Sequence, residues 1–153
     1  MCLGIFVGCY SRSDTIKRFE GVYRAGIALK SAVESNQGYP QFFEALLKFK
    51  IELNLIESQV NSLKEVDLKI YEEYKVAYEM FFLAGDTWGT ALEQFKVMGF
   101  ISERGLEVRK NCLVSGLRTL NKADDLYFGR VKKDSGASVL SPDNSKRASD
   151  ELR

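Results

Sequence analysis

The sequence predicts an all-α protein folded as an antiparallel up-down-up-down four-helix bundle with long helices. Apolar residues recur at helical spacing along most of the 153-residue chain, short polar links separate the periodic segments, and the chain contains only two prolines. Because proline breaks helix interiors, a chain nearly free of it can form long uninterrupted helices. We divide the chain into an N-terminal apolar segment 1–12, a bundle domain 13–133 and a disordered polar tail 134–153.

The first helix is predicted over residues 14–35, with Ser13 as its N-cap. Its inward face should carry large apolar residues spaced at helical intervals: Ile16, Phe19, Tyr23, Ile27 and Val33. Asn36, Gln37 and Gly38 should end this helix, with Gly38 as a left-handed cap, a conformation that glycine adopts without strain. Pro40 suits the first turn of the next helix, where its missing N–H costs no hydrogen bond.

The second helix, predicted over residues 40–64, has the most regular apolar pattern in the chain. Its stripe keeps four-three spacing without a polar interruption: Phe42, Leu46, Phe49, Leu53, Ile56, Val60 and Leu63. Further apolar residues should widen the buried face: Phe43, Leu47, Ile51 and Leu55. A wide stripe favours a bundle core over the narrow seam of a two-stranded coiled coil.

The third helix is predicted over residues 67–98, with Asp67 as its N-cap and Gly99 as its terminator. Its inward stripe again has four-three spacing: Ile70, Tyr74, Ala77, Phe81, Ala84, Trp88, Ala91, Phe95 and Met98. Gly85 and Gly89 interrupt this helix at a cost of about 2 kcal/mol relative to alanine. Either a neighbouring helix approaches closely there, or the helix kinks or breaks with Asp86 capping a fifth helix. The unbroken phase of the stripe favours one continuous, kinked helix.

The fourth helix is predicted over residues 102–133. Its inward positions should be Leu106, Leu113, Leu117, Leu120, Tyr127 and Val131. Cys112, inside this helix, should be a half-buried residue. The tail that follows lacks apolar periodicity and therefore cannot compensate its ordering entropy.

The chain contains no histidine, which removes the commonest general base and the commonest nitrogen ligand of metals. Histidine-dependent triads and metal sites are thereby excluded. The acidic residues Glu72, Glu73 and Glu79 have Lys69 and Lys75 within helical reach, which is typical of a solvated charged face. We therefore expect no catalytic residues, no cofactor and no metal site.

An aromatic cluster on the third helix is the strongest candidate for a small-molecule site. Tyr71, Tyr74, Tyr78 and Trp88 could line a pocket for a flat or apolar ligand, with phenol hydroxyls as polar contacts. Aromatic residues at helical spacing more often form a bundle core, so packing is the favoured interpretation of these four side chains.

The fourth helix and its extension have an excess of basic residues. A basic face formed by Arg118, Lys122, Arg130, Lys132 and Lys133 could contact an acidic protein partner or lipid headgroups. These residues could equally pair with the acidic neighbouring helix of the same bundle. Nucleic acid is not expected as a partner, because the net charge is only +1 and few aromatic residues interleave with the basic ones.

The first ten residues form an uncharged apolar run that contains Gly8-Cys9 and is followed by polar residues. This pattern resembles the end of a bacterial lipoprotein signal peptide, in which a small residue precedes a cysteine that becomes lipidated. The resemblance implies a membrane tether through Cys9 and a signal that begins upstream of Met1, because a complete signal has a basic segment and a longer apolar run. The alternative is a short apolar segment packed on the bundle, with Cys9 buried.

Together these features indicate a non-catalytic helical-bundle binding or structural module, tethered through Cys9 in a bacterial cell envelope. Its protein partner is not specified by the sequence. Two alternatives stay open. One is an intracellular adaptor or inhibitor that binds a protein in the cytoplasm, and the other is a small-molecule sensor that uses the aromatic residues of the third helix.

Overall fold

The computed structural model describes residues 12–130. Four helices and one short 3₁₀ segment follow in order: α1 (Arg12–Glu34), α2 (Tyr39–Glu57), the 3₁₀ segment Val60–Ser62, α3 (Glu65–Met98) and α4 (Glu103–Tyr127). They form a four-helix bundle, which confirms the predicted fold class. Packing is most extensive between α3 and α4, and among the neighbouring helices of the bundle it is least extensive between α1 and α4. Within residues 12–130, no helix is long and apolar enough to cross a membrane.

The core confirms the predicted inward stripes over the middle of the bundle. Its buried residues on α2, α3 and α4 include Phe42, Leu46, Phe49, Leu53, Ile56, Ile70, Tyr74, Ala77, Phe81, Ala84, Leu120 and Tyr127. The hydrophobic effect on these side chains is the main force that holds the helices together. Leu113 and Leu117 are only partly buried at the edge of this cluster.

The predicted inward face of α1 was wrong at Ile16 and Ile27, which are exposed. The buried face is instead Thr15, Phe19, Val22, Gly26, Leu29 and Ala32. Half of these residues are small, so a pattern read from large apolar residues alone misplaces the face. A Cβ on Gly26 would lie 3.1 Å from the Leu120 side chain, so the small residue lets α1 approach α4.

The second helix is shorter and narrower than predicted. Leu47, Ile51 and Leu55 are exposed, so they do not widen the buried face. The helix ends at Glu57, and the Ser58 hydroxyl that follows donates to the Leu55 carbonyl at 2.8 Å. Such local bonds compete with continued helix.

The helix ends follow the expected chemistry, except that Gly38 and Ser13 do not have their predicted roles. Asn36, not Gly38, has the left-handed conformation after α1, with φ of 50°. Gly38 is extended and is the N-cap of α2, with Pro40 in the first turn as predicted. Gly99 is left-handed after α3, also as predicted. Because α1 begins at Arg12, Ser13 lies inside its first turn.

The fourth helix ends at Tyr127 rather than near 133. Gly129 is left-handed with φ of 64°, and its N–H donates to the Leu126 carbonyl while the Arg130 N–H donates to the Asp125 carbonyl. These two bonds form a Schellman ending. The predicted inward residue Val131, the segment 1–11 and the tail 134–153 lie outside the described residues.

The third helix is continuous through Gly85 and Gly89. A Cβ on Gly85 would lie 3.2 Å from the Phe42 ring, and one on Gly89 would lie 3.0 Å from the Tyr39 hydroxyl oxygen. The close approach of α2 therefore offsets the helix-propensity cost of both glycines. Asp86 lies within this helix and does not cap a fifth one.

Asp67 does not cap α3, whose N-cap is Lys64. It lies in the first turn with its side chain fully buried, accepts a hydrogen bond from the Thr15 hydroxyl and forms an ion pair with Arg18. A carboxylate in a first turn is stabilised by the partial positive charge of the helix N-terminus.

Candidate functional site

The structure places two of the four predicted aromatic ligand residues in the core. Tyr71 and Tyr74 are both buried, and the Tyr74 hydroxyl donates to Asp124 Oδ1 at 2.8 Å. Burial raises the pKa of Tyr71 to about 12, with a further contribution from Glu57. Burial, followed by the charge of Asp124, also holds the pKa of Tyr74 well above its usual value. Both side chains are part of the hydrophobic core cluster.

The other two aromatic residues lie at the margin of the bundle. Tyr78 packs near Phe82, with ring centres 5.9 Å apart, and Lys50 Nζ lies 5.8 Å from the Tyr78 ring centre. Trp88 is covered by the guanidinium of Arg109 at 4.2 Å from its ring centre. Each ring thus has its own cationic neighbour, and the two rings contact different parts of the bundle.

The basic residues of the fourth helix are only partly committed within the bundle. Lys122 Nζ lies 2.5 Å from Glu73 Oε1 on α3, and the Arg130 guanidinium lies 4.7 Å from the Phe128 ring centre. Arg118 is exposed. Lys132 and Lys133 lie outside the described residues, as does Cys9. Cys112 is a half-buried free thiol on α4.

A groove of about 570 Å³ runs between α1 and α4, the neighbouring helices that pack against each other least extensively. Its polar groups bond to the protein itself. Lys30 Nζ donates to Asn121 Oδ1 at 2.9 Å, and Asp124 accepts from Tyr74. Burial raises the pKa of Asp124, while the Tyr74 bond opposes this rise. Within residues 12–130, no group of three or more acidic or cysteine side chains could hold a metal ion.

An exposed apolar surface lies where α3 and α4 extend past the other two helices. Tyr39, the first residue of α2, contacts Trp88 with ring centres 5.5 Å apart. The helix α1 ends nearby, at Glu34. The later part of α3 and the start of α4 therefore continue without α1 and α2 beside them. We call residues 92–109, which include the link between α3 and α4, the hairpin end.

The hairpin end exposes a cluster of large apolar side chains: Phe95, Val97, Met98, Phe100, Leu106 and Val108. Phe95, Met98 and Leu106 were predicted to point inward, and this prediction was wrong, because they are 52%, 52% and 43% exposed. Their positions do continue the core stripes of α3 and α4. They remain uncovered because α1 and α2 end before reaching them.

The missing signal was the length of the predicted helices. The third and fourth were predicted over 67–98 and 102–133, clearly longer than the first, over 14–35. Antiparallel helices of unequal length cannot cover one another completely, so the surplus turns must be exposed at an end. Length, more than residue type, could have located this surface.

The hairpin end is held in a defined geometry at its turn. The Gly99 N–H donates to the Phe95 carbonyl at 2.9 Å and so closes α3. The Ser102 hydroxyl oxygen accepts from the Gly105 N–H at 3.0 Å and so caps α4. Each helix end therefore has a local capping bond, which helps to fix the geometry of the turn.

Comparison with known proteins assigns no family. No protein-family model matches the chain, and neither a curated protein nor a solved structure matches it. The geometry of the described residues is therefore what bears on function.

Proposed function

We propose that this protein is a non-catalytic binding module that engages a protein partner through the hairpin end. The observation that carries the proposal is the half-exposure of Phe95, Met98 and Leu106 at core positions of two helices. Removing apolar surface from water yields about 25 cal/mol per Å². Clustered apolar side chains that a domain leaves uncovered commonly mark an interaction site.

The titratable groups support a role without catalysis. The buried carboxylate of Asp67 is engaged with Thr15 and Arg18, and the raised-pKa pair of Tyr74 and Asp124 is joined by its own hydrogen bond. Groups with perturbed pKa values are candidates for chemistry when they line an accessible cleft. Here their bonding within the fold is sufficient to account for them.

The tether through Cys9 in a cell envelope remains part of this proposal. Arg12, where α1 begins, donates to the Tyr127 carbonyl at 3.1 Å, so the chain enters the bundle where α4 ends. The hairpin end lies at the opposite end of the bundle. A lipid on Cys9 would therefore direct the apolar surface away from the membrane and toward partners.

A photo-cross-linker at Phe100 tests the binding proposal directly. Phe100 lies in the turn of the hairpin end, while Phe82 is a comparably exposed phenylalanine in the middle of α3 and serves as the control. Benzoylphenylalanine at Phe100 should give one discrete cross-linked product in cells, and the same substitution at Phe82 should not. Products that are absent from Phe100, or equal from both positions, would refute the proposed binding surface.

The tether is tested by matched cysteine substitutions behind a complete signal peptide. Cys9→Ser should abolish acylation and release the protein from the membrane fraction, whereas Cys112→Ser should leave fractionation unchanged. Firm membrane attachment requires more than one acyl chain, so partitioning should differ clearly. If wild type and Cys9→Ser fractionate identically without lipid, the intracellular adaptor takes the place of the envelope protein.

A further inference from the structure

We infer that the occupant of the hairpin end is a second copy of this chain, and this inference rests on the proposed function because it uses the same surface. Along the rest of the bundle, α1 and α2 cover the stripes of α3 and α4. At the hairpin end, α1 and α2 no longer lie beside α3 and α4. The α3–α4 hairpin of a second copy supplies two antiparallel helices with the same apolar stripe, and so completes a four-helix cross-section.

The apolar N-terminal residues of the same chain cannot fill this position. Thr15 bonds to Asp67, so α1 begins beside the first turn of α3. From Asp67 to Phe95 the helix rises about 42 Å. Even fully extended, the segment from Ser11 back to Leu3 spans only about 30 Å. Its apolar side chains therefore fall short of Phe95.

The charges at the hairpin end favour a copy of itself over a strongly charged partner. Around the apolar cluster the signs are mixed: Glu93, Lys96, Glu103, Arg104, Glu107, Arg109 and Lys110. Lys96 and Glu93 already form an ion pair at 2.7 Å. In a two-fold interface the same patch faces itself, so a patch of one sign would repel its copy. A nearly balanced patch with an apolar centre satisfies that condition.

The two faces of the hairpin end differ in a way that identifies the contact. Phe95 continues the inward stripe of α3, whereas Val97, two residues later, lies on the opposite side of the helix because each residue turns the helix by about 100°. Val97 is the most exposed apolar residue of the hairpin end, at 84%. A second copy that completes the bundle covers Phe95 and Leu106 and leaves Val97 in solvent.

Sedimentation equilibrium of the full chain under reducing conditions tests this arrangement. The surface is small compared with a standard interface, so we expect a reversible dimer with a dissociation constant on the order of micromolar. Phe95→Glu and Leu106→Glu should each weaken dimerisation by about tenfold or more, because each places a charge in the apolar contact. Val97→Glu is the matched control and should dimerise like wild type. Circular dichroism establishes that each variant keeps its helices.

Two results would overturn the inference. One is a wild-type chain that remains monomeric at about 100 μM, well above a micromolar dissociation constant. The other is a dimer that Val97→Glu disrupts as strongly as Phe95→Glu. The mass of the Phe100 cross-link separates the two proposals. A product of twice the chain mass supports the second copy, whereas a heterologous product with a monomeric purified chain leaves the binding surface standing and removes only its identification with a copy.

Discussion

Thr15 Oγ1 on α1 donates a hydrogen bond of 2.8 Å to Asp67 Oδ1 on α3, and so joins the beginnings of two helices that are separated by 52 residues. Arg18, one turn further along α1, pairs with the other carboxylate oxygen. A buried carboxylate is tolerated only when its oxygens are bonded in this way. The contact fixes the relative height of α1 and α3, and with it how far α3 extends past α1 at the other end.

Removing this carboxylate should destabilise the fold. Asp67→Ala removes the carboxylate that the Thr15 hydroxyl and the Arg18 guanidinium contact. We expect a loss of about 2–3 kcal/mol in the free energy of unfolding. The partial exposure of Arg18, 27% of its side chain, keeps the cost below that of a fully buried pair. Asp67→Asn retains an oxygen acceptor for Thr15 and should lose less. An unchanged urea midpoint for Asp67→Ala would contradict this account.

Two leucines on α2 provide a test of the core. Leu53 is 4% exposed and Leu55 is 56% exposed, although they lie two residues apart. Leu53→Ala should cost about 2–5 kcal/mol through lost burial and a residual cavity. Leu55→Ala should stay within about 0.5 kcal/mol of wild type. Urea unfolding of both variants measures the difference, and equal midpoints would mean that the face of α2 is misassigned.

Two glycines on α4 should respond to alanine in opposite directions. A Cβ on Gly116 would lie 2.9 Å from the buried Phe81 ring, whereas one on Gly105 would meet only the Ser102 hydroxyl oxygen at 3.5 Å. Gly116→Ala should therefore cost about 1–3 kcal/mol despite better helix propensity. Gly105→Ala should gain up to about 1 kcal/mol. Thermal unfolding monitored by circular dichroism distinguishes them, and a stabilised Gly116→Ala would show that α3 and α4 are less closely packed than described.

The pH dependence of stability should report the half-buried carboxyl of Asp124. Burial raises its pKa above the usual 3.8, so the folded protein binds this proton more tightly than the unfolded chain. That contribution to stability is fully present below the unfolded pKa and is lost as pH rises through the folded pKa. Asp124→Asn should therefore be at least as stable as wild type at pH 7. As pH falls, the free energy of unfolding of wild type should increase relative to that of the variant. Urea unfolding of both chains between pH 7 and pH 4 measures the gap. A variant that is much weaker at pH 7 would mean that the charge of Asp124 stabilises the fold.

The Tyr74 hydroxyl should limit the rise in the pKa of Asp124. Its hydrogen bond lowers the pKa of Asp124 against the effect of burial, so Tyr74→Phe should raise that pKa further and cost about 1–2 kcal/mol of stability. Tyr127→Phe is the control, since its hydroxyl donates to the Ile16 carbonyl instead. Carboxyl chemical shifts followed through a pH titration give the pKa in each variant. An Asp124 pKa that Tyr74→Phe leaves unchanged would argue against the hydrogen bond.

The sequence by itself determined the all-helical class, the central core stripes of α2 and α3, the start of α2 near Pro40 and the end of α3 at Gly99. These features depend on local chemistry: the period of apolar residues, the fixed φ of proline and the left-handed freedom of glycine. The sequence did not decide whether Gly85 and Gly89 mark a kink or the close approach of another helix, because the answer depends on Phe42 and Tyr39 of α2.

The tertiary structure alone decided which surfaces are covered. Small residues such as Gly26 contribute little to an apolar sequence pattern, yet they are buried wherever another helix comes close. The inward face of α1 is therefore rotated from the face that the sequence predicted. Asp67 has the sequence features of a cap but is buried, because Thr15 and Arg18 of α1 satisfy its oxygens. Phe95 and Leu106 have the pattern of core residues but are exposed, because burial requires a neighbour at the same height, and helix period does not record where the neighbouring helices stop.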